Sequence, residues 1–315
     1  MAPVEVLVAS GKLSLSILVT GATGFVGNAL VRQLLEVGHS VTILSRDPRR
    51  AALHFEGKVR AVRGCDELNA DSVIDVVVHL AGAAVIGFPW TAKRQRVLRD
   101  SRLSIARSLL EWIDRASHRP AVWIQASAIG FYGPRPPDEV LTEESTPGAG
   151  FMADLCQAIE AQSQQAAAMG LRVANLRFGL VLGRGGALPP LALPFRLGLG
   201  SRMGSGSQIW SWVHLKDLLR VVDLAIHDKT LEGPVNVTAP CSLPESEFAE
   251  LLGKALRRPV WFHVPQGLLK FLLGEMADVF VAGQRVMPAK LTARGFRFEF
   301  PEAGAALRDL LRQNP

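Results

Sequence analysis

Glycine residues repeat at a spacing of three in the segment GATGFVG, which follows a run of β-branched residues and opens a run with helical periodicity. Glycines in this position let the backbone approach a pyrophosphate at the N-terminus of a helix. We therefore predict that a dinucleotide binds along this segment, at Gly21, Thr23, Gly24, Phe25, Val26 and Gly27. The alternative is a glycine-rich turn that binds nothing, and the strand, helix and second strand around it argue against that alternative.

The end of the second predicted strand reads Leu44, Ser45 and Arg46. A site specific for NAD usually has Asp or Glu there, which accepts hydrogen bonds from the adenosine ribose. A hydroxyl and a guanidinium instead suit a 2′-phosphate, because arginine donates paired, charge-assisted hydrogen bonds to phosphate oxygens. Ser45 and Arg46 therefore predict NADP(H) as the cofactor, and we interpret Arg49 and Arg50 as a solvated basic loop.

A further apolar strand ends in the segment HLAGA. Leu80, Ala81 and Gly82 could form a small-residue wall against the ribose or the adenine of the cofactor, and a glycine leaves room for that approach. A simple turn at the end of a strand is the alternative interpretation. We interpret His79, in the same apolar strand, as a packed residue rather than a ligand.

A parallel sheet is the element that would bring these strand ends together. Residues 16–46 have the pattern of strand, glycine turn, amphipathic helix and second strand, and strand-like and helical segments continue to alternate after them. Such alternation predicts an α/β fold of the Rossmann type with a doubly wound parallel sheet. After Gly183 the sequence becomes rich in Gly and Pro. We expect a Rossmann domain over residues 1–183, to which residues 213–239 return, and a smaller C-terminal substrate lobe over residues 184–315.

The composition indicates a globular protein that binds small molecules. The 315 residues are 48% hydrophobic, and their net charge of +6 is spread along the chain, which favours anionic small molecules over nucleic acid. The sequence has no apolar run of membrane-spanning length and no export signal, so we predict a cytoplasmic protein with no membrane partner. The distant cysteines and scattered acids predict no metal site. We interpret Met1 to Ser14 as an extension or a misassigned start.

Several segments occur in one order between about Ser16 and Leu311: GATGFVG, the pair Ser45 and Arg46, HLAGA, DSR, ASAIGFYG, LRFGLVLGRGGAL, PFRLGLG, SGSQIWSWVHLKDL, NVTAP, GQRVMPAKL and GFRFEFP. Together they resemble the atypical extended short-chain dehydrogenases, the epimerase-like or sugar-nucleotide epimerase-like proteins that also carry an old cell-division-inhibitor name. The resemblance implies an NADP-binding Rossmann domain, a small C-terminal family-specific domain and a substrate cleft between them. It adds Arg102 of the DSR segment to the predicted cofactor site. The chain departs from the family pattern at Ala83, where Glu is usual, and at Ile159, where Trp is frequent.

Working short-chain dehydrogenases pair Ser or Thr with the Tyr and Lys of a YxxxK motif, in which Tyr is the acid/base group. No lysine lies between positions 93 and 216, so no register places this motif on the expected helix, and the best register puts Phe151 and Leu155 there. Ser127, at a strand end, and Tyr132, the chain's one tyrosine, are the catalytic candidates that remain. The alternatives are a catalytic group that the sequence does not identify, or a protein that only binds cofactor, in which Ser127 and Tyr132 are structural.

Related sugar-nucleotide epimerases present an Arg to the substrate diphosphate in a GxGxQxR segment, and the corresponding position here is Trp210. An indole offers stacking or apolar area in place of a charge-assisted phosphate contact, which disfavours a nucleotide-sugar substrate. Gln208 and Trp210, with Phe195 and Arg196, are the candidates to line the substrate cleft. We interpret Asp217, farther along, as scaffold that caps the start of a helix.

Two functions remain open at this point. The first is an NADP(H)-dependent oxidoreductase or epimerase-like enzyme, in which Ser127 and Tyr132 polarise the oxygen of an unidentified small-molecule substrate. The second is a non-catalytic NADP(H)-binding sensor or interaction protein that has lost the Tyr-Lys pair. Members of the superfamily often dimerise through helices that flank the sheet, so a homodimer is the oligomer to be tested.

Overall fold

The computed structural model describes residues 14–87 and 89–311. The interpretation of Met1 to Ser14 as an extension falls, apart from Ser14, outside the described residues. The strands in chain order are β1 Ser16–Thr20, β2 Ser40–Leu44, β3 Arg60–Val62, β4 Val76–His79, β5 Val122–Ala128, β6 Val140–Leu141, β7 Arg172–Phe178, β8 Leu180–Leu182, β9 Ser201–Met203, β10 Ile209–Trp210, β11 Trp212–His214, β12 Gly233–Val237, β13 Leu243–Pro244, β14 Phe262–Val264 and β15 Arg285–Val286. The α-helices are α1 Phe25–Val37, α2 Pro48–His54, α3 Ala92–Arg115, α4 Phe151–Ala168, α5 Leu188–Arg196, α6 Leu215–His227, α7 Glu245–Leu256, α8 Gln266–Leu273, α9 Asp278–Val281, α10 Ala289–Ala293 and α11 Ala303–Leu311.

Seven strands form one parallel sheet in the order β3-β2-β1-β4-β5-β7-β12. The strand order runs outward in both directions from the centre, as in doubly wound sheets that bind nucleotides at the reversal point. The predicted Rossmann-type α/β fold is therefore confirmed.

Both faces of this sheet are buried. Ile17 and Val19 of β1 pack in one apolar cluster with Leu30 of α1, whereas Leu18 packs on the opposite face in a cluster with Trp112 of α3. A parallel sheet covered on both faces needs strands that are apolar at successive positions, which explains the unbroken apolar run of β1. With both faces covered, the carboxyl edge of the sheet is the place left for a ligand.

The C-terminal part of the chain builds a smaller lobe from short strand pairs, β9 with β14 and β10 with β13, and from α5, α7 and α11. Its core contains the buried side chains of Trp212, Phe248 and Leu307. The segment between these parts returns to the sheet, because β12 is the edge strand beside β7 and α6 packs against α1. The division of the chain at residue 183 stays a prediction.

Asp217 ties the lobe to the sheet domain. Its carboxylate accepts the backbone N–H groups of Glu299 at 2.8 Å and Phe300 at 2.9 Å. The cap of α6 is His214, whose Nδ1 accepts the N–H of Lys216 at 3.1 Å. Burial lowers the pKa of His214, which keeps this nitrogen available as an acceptor. The scaffold interpretation of Asp217 agrees with these contacts, but the predicted capping role is wrong, because the histidine one residue before the helix takes it.

Within residues 14–87 and 89–311, no helix is both long enough and apolar enough to cross a membrane. The same ranges contain no group of three or more His, Cys, Asp or Glu side chains arranged to hold a metal ion. Cys65 and Cys156 are buried free thiols, and Cys241 is an exposed one.

Candidate functional site

A cavity of about 1680 Å³ follows the carboxyl edge of the sheet and continues beneath the C-terminal lobe. All the predicted cofactor residues line it, namely Gly21, Thr23, Gly24, Phe25, Val26, Gly27, Ser45, Arg46, Leu80, Ala81, Gly82 and Arg102. Ser127 and Trp210 line it as well. The sheet therefore brings most of the predicted site residues into one space.

The glycine turn between β1 and α1 is packed so closely that side chains cannot enter it. A Cβ on Gly27 would lie 2.2 Å from the carbonyl oxygen of Gly21, and a Cβ on Gly21 would lie 2.8 Å from the carbonyl of Leu80. Gly21 also has a φ of +71°, in the left-handed region. The turn leaves the backbone at the start of α1 open to the cavity, which fits the pyrophosphate of a nicotinamide dinucleotide.

Positive side chains surround the cavity at the ends of β2 and β3. Arg46 follows β2, and Arg50 and Arg63 line the same end of the cavity. Arg49 and Arg50 lie in α2, so the predicted basic loop is wrong, and Arg50 borders the site. Arg63 is a site residue that sequence reasoning missed. The position of Arg63 directly after β3 is the signal that could have found it, because in a parallel sheet that residue lies beside the end of β2.

Arg102 reaches the cavity wall from α3 and holds the loop after β4. Its guanidinium donates to the carbonyl oxygens of Leu98 at 2.8 Å and Ala83 at 3.0 Å. A Cβ on Gly82 would lie 2.6 Å from Cζ of Arg102, so this glycine makes room for the arginine. The structure therefore gives Arg102 a supporting contact with the loop in addition to its place on the wall.

His79 is packed, as its strand position indicated. Its Nδ1 lies 2.6 Å from Oγ1 of Thr20, and its Nε2 lies 3.2 Å from the carbonyl oxygen of Arg102. Burial lowers the pKa of His79 to about 4, so the ring is neutral. Because a carbonyl can only accept, Nε2 donates to Arg102, and Nδ1 accepts from Thr20. Oγ1 of Thr20 in turn accepts the N–H of Ala81 at 3.1 Å and fixes the loop at the cofactor site.

Ser127 is the first member of a buried polar network. Its hydroxyl donates to Oε1 of Glu160 at 2.8 Å. Arg177 donates to both oxygens of Glu160, from Nε at 2.8 Å and from Nη2 at 2.7 Å. Sequence reasoning missed Glu160 and Arg177. An acid on the apolar face of α4 and an arginine within the apolar strand β7 are unusual, and this is the signal that could have found them.

Tyr132 belongs to the far end of this network and does not line the cavity. Its side chain is fully buried, and its hydroxyl accepts from Nη1 of Arg177 at 2.9 Å. Its single proton can go to Oδ1 of Asn236 at 2.7 Å or to the carbonyl oxygen of Thr142 at 2.9 Å. Burial raises the pKa of Tyr132, so the phenol is neutral. Tyr132 thus reaches Ser127 through Arg177 and Glu160 rather than through the cavity.

The face of α4 that borders the cavity has no Tyr or Lys. Phe151 and Leu155, the positions assigned to the missing motif, both line the cavity, and so does Cys156. Burial raises the pKa of Cys156 to about 11, which keeps the thiol protonated. This helix therefore offers apolar surface to a substrate rather than an acid/base group.

The two predicted substrate residues have different surroundings. Trp210 lines the cavity, and its Nε1 donates to the carbonyl oxygen of Phe280 at 3.1 Å. Gln208 lies behind the wall, where its Nε2 donates to the carbonyl oxygens of Met203 at 2.7 Å and Phe280 at 3.2 Å. Phe195 is buried in the core of the lobe. A substrate role therefore remains a prediction for Trp210, while Gln208 holds the wall that Trp210 belongs to.

Comparison with protein families shows two matches along the chain. Residues 17–237 match the NAD dependent epimerase/dehydratase family, and residues 264–310 match a domain of unknown function, DUF1731. The chain is 34% identical to the epimerase family protein YfhF of Bacillus subtilis over 301 residues, which are 94% of this chain and 98% of that protein. It is also 34% identical to the mouse epimerase family protein SDR39U1 over 304 residues, 94% of this chain and 99% of the mouse protein.

Solved structures show the same relationship. The crystal structure of human epimerase family protein SDR39U1 (isoform 2) with NADPH is 32% identical, with a TM-score of 0.84 over 94% of this chain and 99% of that one. The UDP-glucose 4-epimerase of Thermus thermophilus in complex with NAD shares the fold at 21% identity, with a TM-score of 0.74 over 96% of this chain and 100% of that one. The resemblance seen in the sequence motifs is confirmed, and the chain belongs to the NAD dependent epimerase/dehydratase family.

Proposed function

We propose that this chain is an NADP(H)-dependent oxidoreductase of the epimerase-like kind, acting on a small carbonyl or hydroxyl compound held beside Ser127. The observation that carries the proposal is that one cavity joins Arg46, the glycine turn, Ser127 and the C-terminal lobe. A dinucleotide laid from Arg46 towards Ser127 would occupy the sheet edge and leave the space beneath the lobe for substrate. The human relative that contains NADPH supports the same cofactor here.

The residues of the cavity suggest how the cofactor would be held. Ser45 and Arg46 would bind the 2′-phosphate, and the backbone of the glycine turn would bind the pyrophosphate. Leu80 to Gly82 would pack against the adenosine half. When bound, NADP(H) supplies or accepts a hydride at its nicotinamide ring.

Ser127 is the hydroxyl placed to handle the substrate oxygen. Reduction of a carbonyl adds one hydride and one proton. The hydroxyl of Ser127 would turn its hydrogen from Glu160 to the substrate oxygen, pass that proton on as the hydride arrives and recover a proton from water. Glu160 would fix the position of the serine hydroxyl, because Arg177 holds both carboxylate oxygens. Tyr132 would act as a positioning residue through its hydrogen bond with Arg177 rather than by contact with the substrate.

The non-catalytic sensor is the second candidate, and one observation favours it. The cavity face of α4 presents Phe151, Leu155 and Cys156 where a Tyr-Lys pair would serve catalysis. A sensor would bind NADPH without oxidising it. Steady oxidation of NADPH in the presence of any aldehyde or ketone would decide against the sensor, whereas tight NADPH binding without turnover across a carbonyl panel would decide against the enzyme.

The Arg46→Ala variant is expected to bind NADPH about 10- to 100-fold more weakly, because a charge-assisted hydrogen bond contributes about 1.5–3 kcal/mol. NADH, which has no 2′-phosphate, should bind the variant and the parent protein equally. Isothermal titration calorimetry with both cofactors measures this difference. Arg49→Ala is the matched control, since Arg49 is exposed, and an equal loss in both variants would show a general effect of charge instead.

The Ser127→Ala variant is expected to lower kcat/KM for the best carbonyl substrate by about 10- to 100-fold, the value of a lost hydrogen bond to a group that gains charge. Its Kd for NADPH should stay within about twofold, because the predicted cofactor contacts do not involve this hydroxyl. Ser104→Ala, at an exposed position of α3, is the control. Equal turnover in the Ser127→Ala variant and the parent protein would contradict the assigned role.

A further inference from the structure

The part of the cavity beyond Ser127 has an apolar wall. Cys156 contacts Ser127, and one turn earlier in α4 Met152 packs, as Ala128 and Ile129 do, against the apolar cluster that contains Cys156. Large apolar side chains continue the wall from there, namely Ile86, Trp90, Phe151, Trp210 and Val279. The rings of Trp90 and Phe151 meet edge to face at 5.4 Å between centroids. A ligand that reaches Ser127 therefore lies against hydrocarbon.

Polar atoms on this wall already have partners within the protein. The indole N–H of Trp90 donates to the carbonyl oxygen of Val85 at 2.9 Å, and that of Trp210 donates to Phe280. The hydroxyl of Ser211 donates to the carbonyl oxygen of Gln284 at 2.7 Å and accepts the N–H of Val286 at 2.9 Å. A sugar placed against these residues would bury hydroxyl groups that the two indoles and Ser211 cannot pair, which is costly.

The two ends of the cavity differ in charge. Among the described lining residues, the arginines are Arg46, Arg50, Arg63 and Arg102. Arg46 follows β2, Arg50 lies in α2 and Arg63 follows β3. Asp47, the cap of α2, lies beside them. Beneath the lobe the charged lining residues are Glu275 and Asp278. Glu275 accepts a hydrogen bond from Gln95, and Asp278 lies 3.5 Å from the exposed Lys270. The lining at this end therefore presents carboxylates, which repel a phosphate group.

We propose that the substrate end of the cavity takes an apolar carbonyl compound without phosphate, such as a medium-chain aliphatic or an aromatic aldehyde or ketone. The carbonyl oxygen meets Ser127, and the hydrocarbon lies between α4 and the segment that contains Val279. This inference rests on the proposed function for the position of the cofactor. The reaction it names is balanced: the carbonyl carbon gains hydride from NADPH, the oxygen gains one proton through Ser127, and an alcohol and NADP⁺ leave.

The test measures binding of unreactive analogues to the full chain saturated with NADPH. Straight-chain carboxamides from butanamide to decanamide present the same carbonyl at the end of a growing hydrocarbon. We expect the affinity to rise about three- to fourfold with each methylene group until the cavity is filled, as burial of one methylene predicts. UDP-glucose is expected to bind more weakly than octanamide. An affinity independent of chain length, or tighter binding of UDP-glucose, would overturn the proposal.

Two variants assign the binding to this wall. Phe151→Gln should weaken octanamide binding by at least about fivefold, because it replaces apolar contact with an amide. Leu272→Gln, which changes an exposed side chain on α8, should leave the affinity unchanged. An equal effect of both variants would contradict the assigned wall. Titration with NADPH alone distinguishes failure of the proposed function from failure of this inference. A protein that does not bind NADPH would contradict the proposed function. Normal NADPH binding without an effect of carboxamide length would contradict only this inference.

Discussion

The Gly27→Ala variant is expected to lose nicotinamide-cofactor binding. Its affinity for NADPH should fall at least about 100-fold below that of the parent protein, the loss that a displacement of the binding groups by about 1 Å can cause. The added Cβ would lie 2.2 Å from the carbonyl oxygen of Gly21 and 2.9 Å from Cα of Ala22. Both neighbours are backbone atoms, so either the glycine turn or the start of α1 has to move. These are the two elements predicted to surround the pyrophosphate, and calorimetry with NADPH measures the loss.

Two further glycine variants separate loss of the site from loss of the fold. Gly24→Ala brings its Cβ to 3.2 Å from Gly21, a milder clash, and should weaken NADPH by about 10-fold if backbone approach determines binding. Gly267→Ala, in α8, adds a Cβ with nothing within 4 Å. It should keep its NADPH affinity and gain up to about 1 kcal/mol of stability. Far-ultraviolet circular dichroism reports folding of each variant, and a folded Gly27→Ala protein with parental affinity would show that the turn does not bind the cofactor.

The parallel sheet and the glycine turn could be predicted because their signals are local. Each strand end and the spacing of Gly21, Gly24 and Gly27 can be seen within a few residues, and a parallel sheet necessarily gathers its carboxyl ends at one edge. Leu80 to Gly82 and Ser127 follow from the same rule. Arg63 follows from it too, although β3, the strand that precedes it, is only three residues long and is weakly indicated by its sequence pattern.

The polar network could not be predicted in the same way. Glu160 and Arg177 come together only because α4 packs against β5 and β7 at one particular rotation, which apolar periodicity does not specify to within a hydrogen bond. The same packing turns Tyr132 away from the cavity and towards Asn236, a residue 104 positions farther along the chain. The sequence shows that tyrosine and serine lie five positions apart, but the three-dimensional arrangement decides that only the serine lines the cavity.

The Arg177→Leu variant is expected to lose about 3–5 kcal/mol of unfolding free energy, as happens when one partner of a buried ion pair is removed. Arg177 is 3% exposed and Glu160 is 9% exposed, so water cannot replace the missing guanidinium. Arg177 also lies 3.5 Å from the ring centroid of Phe131, and this cation–π contact is lost with the charge. Urea unfolding at neutral pH, followed by circular dichroism, measures the change.

The companion variants test whether the loss comes from the unpaired carboxylate. Adding Glu160→Gln to Arg177→Leu removes the unpaired buried charge. It should recover about 2 kcal/mol of unfolding free energy, since a buried neutral amide costs less than a buried unpaired ion. Lys58→Ala breaks an ion pair whose side chains are 63% and 65% exposed, and should change stability by less than about 1 kcal/mol. A double variant no more stable than Arg177→Leu would contradict the electrostatic explanation. Because the amide oxygen introduced by Glu160→Gln can still accept from Ser127, turnover by a folded double variant would show that the serine does not need the carboxylate charge.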